Sequence, residues 1–163
     1  MNRHIAIYPG SFDPFTHGHM DIVRRGLEIF DTIIIAVANN SEKNSLFTAA
    51  ERVDILKQLT SDNPRLRVET FDGLLVNYVV AKKARVILRG LRAVTDFEFE
   101  FQLAQMNHTV CQQVETLFMM TSPKFAYLSS SIVKEVGRLG GDISKFVPPL
   151  VMEELLKKFA INS

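Results

Sequence analysis

Residues 5–19 have the sequence IAIYPGSFDPFTHGH, and this stretch decides the fold class. The apolar run Ile5–Tyr8, stopped by Pro9-Gly10, predicts a buried strand. Asp13-Pro14 predicts a turn, and Thr16 is a candidate N-cap for a helix that begins directly after it. The stretch therefore contains a strand, a loop and a helix start in direct succession.

Segments of strand and helix type continue to alternate along the rest of the chain. Four more strands are predicted, over Thr32–Ala38, Leu66–Glu69, Arg85–Leu88 and Thr116–Met120. Helices are predicted over Gly18–Phe30, after the capping box Thr48–Glu51, over Leu74–Ala84, after a second capping box Thr95–Glu98, over Ser131–Leu139 and from Pro148 to about Phe159. Phe97–Phe101 alternates like a strand, but the capping box and the helix formers after it favour a helix.

This alternation predicts an α/β fold: a Rossmann-like, doubly wound, five-stranded parallel sheet with helices on both faces and a C-terminal helix. Apolar and polar residues alternate in Leu66–Glu69, which places the third strand at an edge, as in the order 3-2-1-4-5. In that order a crevice opens at the carboxyl ends of the first and fourth strands. The length of 163 residues predicts a single domain over residues 1–163.

Composition and charge exclude several classes of protein. Apolar residues make up 47% and charged residues 23%, which is ordinary for a soluble globular chain. The formal net charge of +1 argues against a partner that is a nucleic acid. The longest apolar run, Ile33–Ala38, is too short to span a bilayer, and Ile5–Tyr8 is too short for a signal-peptide core. The single Cys111 forms no internal disulfide, so a cytoplasmic location is expected.

The first candidate site follows the first strand. His17, Gly18 and His19 fall in the first turn of the predicted helix, where free amides and the missing side chain at Gly18 suit a phosphate. His19 would either donate to the same anion or merely cap and pack. On a helix His17 and His19 point in different directions, so a shared metal ion is not favoured. The Walker loop and the G-x-G-x-x-G fingerprint are both absent.

Three further segments that suit phosphates follow other strands. Lys43 follows the second strand, although an isolated lysine is more often a solvated charge. Arg89-Gly90-Leu91-Arg92 follows the fourth strand and sets two guanidinium groups beside an open backbone. Ser129-Ser130-Ser131 begins a helix with Lys134 in its first turn, and N-capping explains only one of the three serines. Because all four segments should face one crevice, we expect a nucleoside triphosphate as ligand.

These motifs resemble those of a known superfamily. Residues 11–19, Ser11-Phe12-Asp13-Pro14 with Thr16-His17-Gly18-His19, are similar to the signature of the HxGH nucleotidylyltransferases. Ser129-Ser130-Ser131 with Lys134 resembles their second motif, which holds the triphosphate. With residues 89–98, these segments resemble the bacterial phosphopantetheine adenylyltransferase family over essentially the whole chain. Two positions depart from that family: Ser11 stands where Thr is commoner, and His17 where Asn is commoner and sister transferases have His.

The resemblance implies an enzyme that transfers the adenylyl group of ATP to 4'-phosphopantetheine, with Mg²⁺ bound to ATP and not in a dedicated protein cage. It also implies coenzyme A biosynthesis, feedback inhibition by coenzyme A and a homohexamer, with neither nucleic acid nor membrane as a partner. The implied phosphopantetheine contacts are Ser11, Lys43, Leu75 and Arg89. The implied ATP contacts are Ser11, Phe12, His19, Gly90, Leu91, Arg92, Glu100, Phe125, Ala126, Tyr127, Leu128, Ser129, Ser130 and Ser131.

The residue types suit this reaction. A phosphate acceptor needs no general base, so positioning and electrostatics should carry catalysis without a covalent intermediate. His19, which the resemblance makes the transition-state stabiliser, would donate to the α-phosphate. Arg92 and the serines would hold the β- and γ-phosphates, while Lys43 and Arg89 would align the acceptor. The predicted catalytic residues are therefore His19, Lys43 and Arg92.

Two other functions stay open at this point. One is a sister nucleotidylyltransferase that uses nicotinate mononucleotide or a cytidylyl donor, which His17 mildly favours. The other is a non-catalytic nucleotide sensor on the same fold. Outside the site, Phe97, Phe101 and Met106 are interpreted as core or subunit contacts, and Cys111 is given no role.

Overall fold

The computed structural model describes residues 4–39 and 44–161, and within them five parallel strands form one sheet. The strands are β1 (Ile5–Gly10), β2 (Thr32–Ala38), β3 (Leu66–Phe71), β4 (Val86–Leu91) and β5 (Glu115–Met120). The helices are α1 (His17–Gly26), α2 (Ala49–Thr60), α3 (Leu75–Ala81), α4 (Val94–Val110), α5 (Ser130–Arg138) and α6 (Pro149–Ile161), with a 3₁₀ turn over Pro123–Phe125. The strand order is β3-β2-β1-β4-β5, so the predicted fold class is confirmed.

Both faces of the sheet are buried, as the β-branched sequence of β2 predicts. Ile33 and Ile35 pack in one core cluster with residues of α1 and α2. Ile34 and Ala36 point to the other face and pack with residues of α3. Helices on both faces are what a parallel sheet with crossover connections requires.

A third core cluster connects the C-terminal helix to the edge of the site. Val151 and Leu155 of α6 pack against Val133 of α5 and against Phe47 and Ile55 on the α2 side. This packing fixes α5, whose N-cap and first turn carry the three serines. Within the described residues no helix is long and apolar enough to cross a membrane.

The crevice opens because β1 and β4 pair over only a short length. Their register contains Ala6 with Val86 and Ile7 with Ile87, whereas β1 stays paired with β2 up to Gly10. From Tyr8 onward β1 is therefore paired on one side only, which is the kind of position where a strand accepts proline. Contrary to prediction, Pro9-Gly10 does not stop the strand but forms its last two residues.

Other boundaries also differ from prediction. Arg89, Gly90 and Leu91 lie inside β4 and only Arg92 follows it, because pairing with β5 continues as far as Leu91. Helix α4 forms, but its N-cap is Ala93, so the predicted capping box Thr95–Glu98 was wrong.

Two helices end at least three residues earlier than predicted. Helix α1 ends at Gly26, and just beyond it the guanidinium of Arg65 donates to the carbonyls of Leu27 and Phe30. Helix α3 ends at Ala81 and is followed by Lys83 in the left-handed region, with φ of 55°.

Candidate active site

A cavity of about 460 Å³ lies at the carboxyl ends of β1 and β4, where the strand order predicts one. Many predicted site residues lie in its wall, which confirms that the loops converge. These are Ser11, Phe12, His19, Arg89, Gly90, Arg92, Glu100, Leu128, Ser129, Ser130 and Ser131. His19, Arg92 and the serines thus share one cavity, although they come from three segments that are distant in sequence.

Hydrogen bonds to Thr16 hold His19 in one orientation. Thr16 caps α1, and its backbone N–H donates to Nδ1 of His19 at 3.0 Å. A backbone N–H can only donate, so Nδ1 carries the lone pair and the proton of the neutral ring is on Nε2. The ring lies among Phe12 and Phe15, with centroid distances of 5.2 and 5.3 Å. The site therefore presents His19 as a fixed Nε2–H donor.

The charge state of His19 follows from the same surroundings. Burial, and then the positive charges of Arg92 and Arg89, lower the pKa of His19 to about 4. The imidazole is therefore uncharged near neutral pH. It can donate a hydrogen bond to developing negative charge, but it has no extra proton to give up as a general acid.

Arg89 is held by two partners. Its Nε donates to Glu100 at 2.7 Å, its Nη2 pairs with the other oxygen of Glu100, and its Nη1 donates to the carbonyl of Pro9 at 3.0 Å. Burial alone would lower the pKa of Arg89, but the hydrogen bonds and charge of Glu100 outweigh burial and raise it. Glu100, which the resemblance implies as an ATP contact, is thus a cavity residue that orients an arginine.

Arg92, three residues further along the chain, has a similar arrangement. Its Nε and Nη2 donate to the carboxylate of Asp96 at 3.0 and 3.3 Å, and its Nη1 donates to the carbonyl of Leu128 at 3.2 Å. The bond to Leu128 ties the end of β4 to the residue that immediately precedes the serines. Two cations therefore face the cavity, each oriented by a carboxylate of α4 and by a backbone carbonyl.

The three serines do different things. Ser129 is the N-cap of α5 and accepts from the N–H of Ile132 at 3.1 Å. The hydroxyl of Ser130 donates to the carbonyl of Pro14 at 2.7 Å, which joins α5 to the loop after β1. Ser131 is exposed and lines the cavity beside the first turn of α5, whose free amides form an anion site. N-capping thus explains one serine, as argued from the sequence.

Comparison with known proteins agrees with the kind of site that the geometry indicates. The cytidylyltransferase-like family matches residues 7–136. A phosphopantetheine adenylyltransferase of Geobacter metallireducens is 64% identical over 160 residues, which cover 98% of this chain and 98% of that protein. One of Geobacter sulfurreducens is 61% identical over 160 residues with the same coverage. The chain belongs to the phosphopantetheine adenylyltransferase family. The family and enzyme class predicted from the sequence are therefore confirmed.

A solved structure supports the fold of this adenylyltransferase family member. It is described as a candidate nicotinate-nucleotide adenylyltransferase of Vibrio parahaemolyticus, with a TM-score of 0.66 and 20% identity. The match covers 94% of this chain and 99% of that one. Identity this low shows a shared fold only.

Not every residue singled out from the sequence is placed in the cavity wall of this adenylyltransferase. Lys43 lies outside the described residues, so its prediction stays a prediction. Leu75 begins α3 and packs with the core cluster on the far face of the sheet. His17 lies on α1 with its ring stacked on Phe125, away from the cavity wall. Others that do not line it are Leu91, Phe125, Ala126 and Tyr127.

Several wall residues of this adenylyltransferase site were not predicted. They are Tyr8, Pro9, Gly10, Thr16, Ile22, Asp96, Phe99 and Thr121. The sequence contained a signal for two of them: Thr121 directly follows β5, and Asp96 stands four residues after Arg92 at the start of a helix.

The position of Lys134 differs from the one predicted. It lies in the second turn of α5, is absent from the wall, and pairs with Asp13 at 2.8 Å.

Proposed function

We propose that this chain transfers the adenylyl group of ATP to 4'-phosphopantetheine, which gives dephospho-coenzyme A and pyrophosphate in coenzyme A biosynthesis. One observation carries the proposal: a neutral imidazole, two guanidinium groups and the first turn of α5 converge on one cavity of about 460 Å³. That volume falls in the range of small-molecule sites. Membership of a family named for this reaction supports the choice of both substrates.

The reaction needs alignment more than proton transfer. An oxygen of the acceptor phosphate attacks the α-phosphorus of ATP and forms a new P–O bond. The bond from that phosphorus to the bridging oxygen breaks, and its electron pair leaves with pyrophosphate. Because the acceptor is already an anion, no general base and no covalent enzyme intermediate are required. Catalysis then rests on holding two anions in line and stabilising the charge that develops between them.

Each cavity group has a role in that scheme. The Nε2–H of His19 donates to the α-phosphate oxygens, and its neutrality keeps it a donor throughout the reaction. Arg92 and the first turn of α5 hold the β- and γ-phosphates, since the bond from Arg92 to Leu128 sets them side by side. Arg89 holds the acceptor phosphate, together with Lys43 from outside the described residues.

Magnesium enters this proposal with ATP. Among the described residues no group of three or more His, Cys, Asp or Glu side chains could hold a metal ion. The cavity carboxylates Asp96 and Glu100 are both engaged by arginines. Mg²⁺ bound by a triphosphate keeps most of its ligands as phosphate oxygens and water, so we assign it no residue of this chain.

The proposal also includes a cytoplasmic homohexamer inhibited by coenzyme A. The surface of α4 supports an oligomer, because none of residues 96–110 is buried. Phe99 and Met106 are each 63% exposed there, and Phe97, Phe101 and Val110 add to the same apolar helix. Coenzyme A resembles the product of the proposed reaction. It would inhibit the enzyme by occupying the sites of the acceptor and of the adenylyl group at the same time.

Pyrophosphate release tests the proposal. The protein is incubated with Mg²⁺-ATP and, in separate reactions, with 4'-phosphopantetheine, nicotinate mononucleotide or no acceptor, and also with CTP in place of ATP. We expect release with ATP and 4'-phosphopantetheine, and dephospho-coenzyme A as the second product. Release with nicotinate mononucleotide alone would identify a sister transferase. ATP binding without release in any arm would favour a nucleotide sensor.

A further inference from the structure

Asp13 is a buried carboxylate that accepts hydrogen bonds from two distant parts of the chain. It is 5% exposed. The backbone N–H groups of Leu46 and Phe47 donate to its two oxygens, each at 2.9 Å. Nζ of Lys134 donates to Oδ2 at 2.8 Å. The loop after β1, the segment before α2 and the helix α5 therefore meet at one carboxylate.

Two of these three segments border the cavity. The loop contains Ser11 and Phe12, which line the cavity, and α5 carries the serines. Leu46 comes three residues after Lys43 in the sequence. Backbone donors cannot change partner without movement of the chain, so the carboxylate fixes the relative positions of all three segments.

The loop itself needs such support. Phe12 lies in the left-handed region with φ of 51°, a conformation that is unfavourable for a bulky side chain. Its ring contacts His19 edge to face at a centroid distance of 5.2 Å. The carbonyl of Pro14, on the other side of Asp13, accepts from Ser130. Helix α5 therefore holds this loop at two neighbouring points, one of them charged.

Lys134 is placed for this role and not for contact with a ligand. Its side chain is 20% exposed, its ammonium group is committed to Asp13, and it does not line the cavity. If Lys134 were removed, the buried charge of Asp13 would lose the ammonium group paired with it and keep the electrostatic interaction with Arg52. The resemblance assigns Lys134 to a motif that holds the triphosphate, and the geometry differs from that assignment.

We propose that Lys134 is a positioning residue that acts through Asp13. It holds the Ser11–Pro14 loop against α5 and residues 46–47, and thereby aligns His19 and Ser11 with the serine turn. This inference rests on the proposed function only in naming the reaction that the alignment serves. The buried pair itself is independent of the substrate.

The test compares Lys134→Met, Lys134→Arg, Asp13→Asn and the double variant Asp13→Asn/Lys134→Met with the original chain. Lys145→Met, at an exposed lysine after α5, is the control for loss of one positive charge. Two readouts are taken on each protein. The first is kcat and the KM for ATP in pyrophosphate release. The second is hydrogen exchange at the amides of Leu46 and Phe47, which requires no turnover.

In Lys134→Met we expect kcat to fall about 10- to 100-fold while the KM for ATP changes less than about 3-fold, because misalignment affects the reacting geometry more than binding. The amides of Leu46 and Phe47 should exchange at least about 10-fold faster. Lys134→Arg should restore most of both readouts. The double variant should have about the same kcat as the worse of the two single variants, since the residues act as one unit.

A rise in the KM for ATP with unchanged kcat and unchanged amide exchange would make Lys134 a phosphate ligand and overturn the inference. If the original chain releases no pyrophosphate, the proposed function fails, whereas the exchange comparison still decides the role of Lys134. If Lys134→Met does not fold, Lys134→Gln, whose amide can still donate to Asp13, is compared in the same way. Unchanged exchange in that variant and in Asp13→Asn would also overturn the inference.

Discussion

Asp96 and Glu100 lie one turn apart on α4, and each carboxylate holds one of the two arginines in the cavity. The guanidinium groups are therefore oriented before any phosphate arrives. Each still has N–H groups that no carboxylate engages, because a guanidinium carries five donors. Pre-orientation lowers the entropy lost on binding, which is the main way that rigid sites gain affinity.

Replacing Glu100 by Gln should destabilise the protein. The side chains of Glu100 and Arg89 are 12% and 27% exposed, so the variant leaves a largely buried guanidinium without its counter-charge. We expect the free energy of unfolding to fall by about 3 kcal/mol. Denaturant unfolding measures this, with Glu98→Gln, an exposed glutamate on the same helix, as control. Equal losses in the two variants would show that the pair adds nothing specific.

Replacing His19 by Ala should separate catalysis from binding. In the proposed reaction the ring donates to charge that develops in the transition state, so kcat should fall on the order of 10²–10³-fold. The dissociation constant of ATP should change less than about 3-fold, because the ground state gains little from that donor. His17→Ala is the matched control, since His17 lies two residues away but not on the cavity wall. Equal losses of affinity and turnover in His19→Ala would contradict this role.

The pKa of His19 also predicts how stability depends on pH. The folded-state pKa of about 4 lies below the ordinary value of 6.5, so the unfolded chain binds the proton first as the pH falls. Stability from the neutral ring is therefore complete above about pH 6.5 and is lost progressively towards pH 4. Between pH 7.5 and pH 5 the original chain should lose about 2 kcal/mol more than His19→Gln. Urea titrations at the two pH values measure the difference, and parallel losses would disprove the shift.

Features of this structure that depend on neighbouring residues could be predicted from the sequence, whereas features that depend on contacts between distant residues could not. The strand Thr32–Ala38 has the predicted bounds, and the capping box Thr48–Glu51 forms, because a local pattern determines both. The extension of β4 to Leu91 depends on pairing with β5, which no local pattern contains. The capping box predicted at Thr95 did not form, and α4 begins two residues earlier than that local pattern indicated, with Ala93 as its N-cap.

In the candidate site, too, the features set by local sequence were predictable and those set by long-range contacts were not. Ser11, His19 and Arg92 could be located because residues after parallel strands share one edge of the sheet, and Arg89 because it lies near the carboxyl end of β4. Their partners were not predictable in the same way: Asp13 meets Lys134 at a separation of 121 residues. Only folding brings such groups together, so a sequence motif gave the position of Lys134 without its contact.

The apolar surface of α4 leads to a prediction about assembly. If a second copy covers this helix, Met106→Glu should introduce a charge into that interface and shift the protein to smaller species. Met106 is 63% exposed, so the substitution should leave the subunit itself folded. Multi-angle light scattering at micromolar concentration measures the mass. Leu139→Glu, at a residue that is 82% exposed after α5, is the control for a new surface charge. An unchanged mass in Met106→Glu would show that α4 is not the interface.

Gly18→Ala should keep or slightly raise the stability of the protein while it weakens ATP binding, whereas Glu100→Gln should lower the stability. A Cβ at Gly18 would meet its nearest protein atoms, in Thr16 and Phe125, at 3.5 and 3.7 Å, which are ordinary contact distances. The helix therefore tolerates alanine, and reduced freedom of the unfolded chain should stabilise the protein by roughly 0.5 kcal/mol. Alanine at position 18 should, however, hinder ligand binding. A phosphate that approaches the amides of the first turn of α1 needs the space that the methyl group would fill.

We therefore expect Gly18→Ala to have an unchanged or slightly raised Tm together with a KM for ATP raised at least about 10-fold. Calorimetry and pyrophosphate release measure the two effects on the same sample. Gly73→Ala is a suitable contrast, because Gly73 has φ of 74° and lies away from the cavity wall. It should lose stability through backbone strain and keep its KM for ATP. A Gly18→Ala protein with unchanged KM would mean that the phosphates do not bind at the first turn of α1.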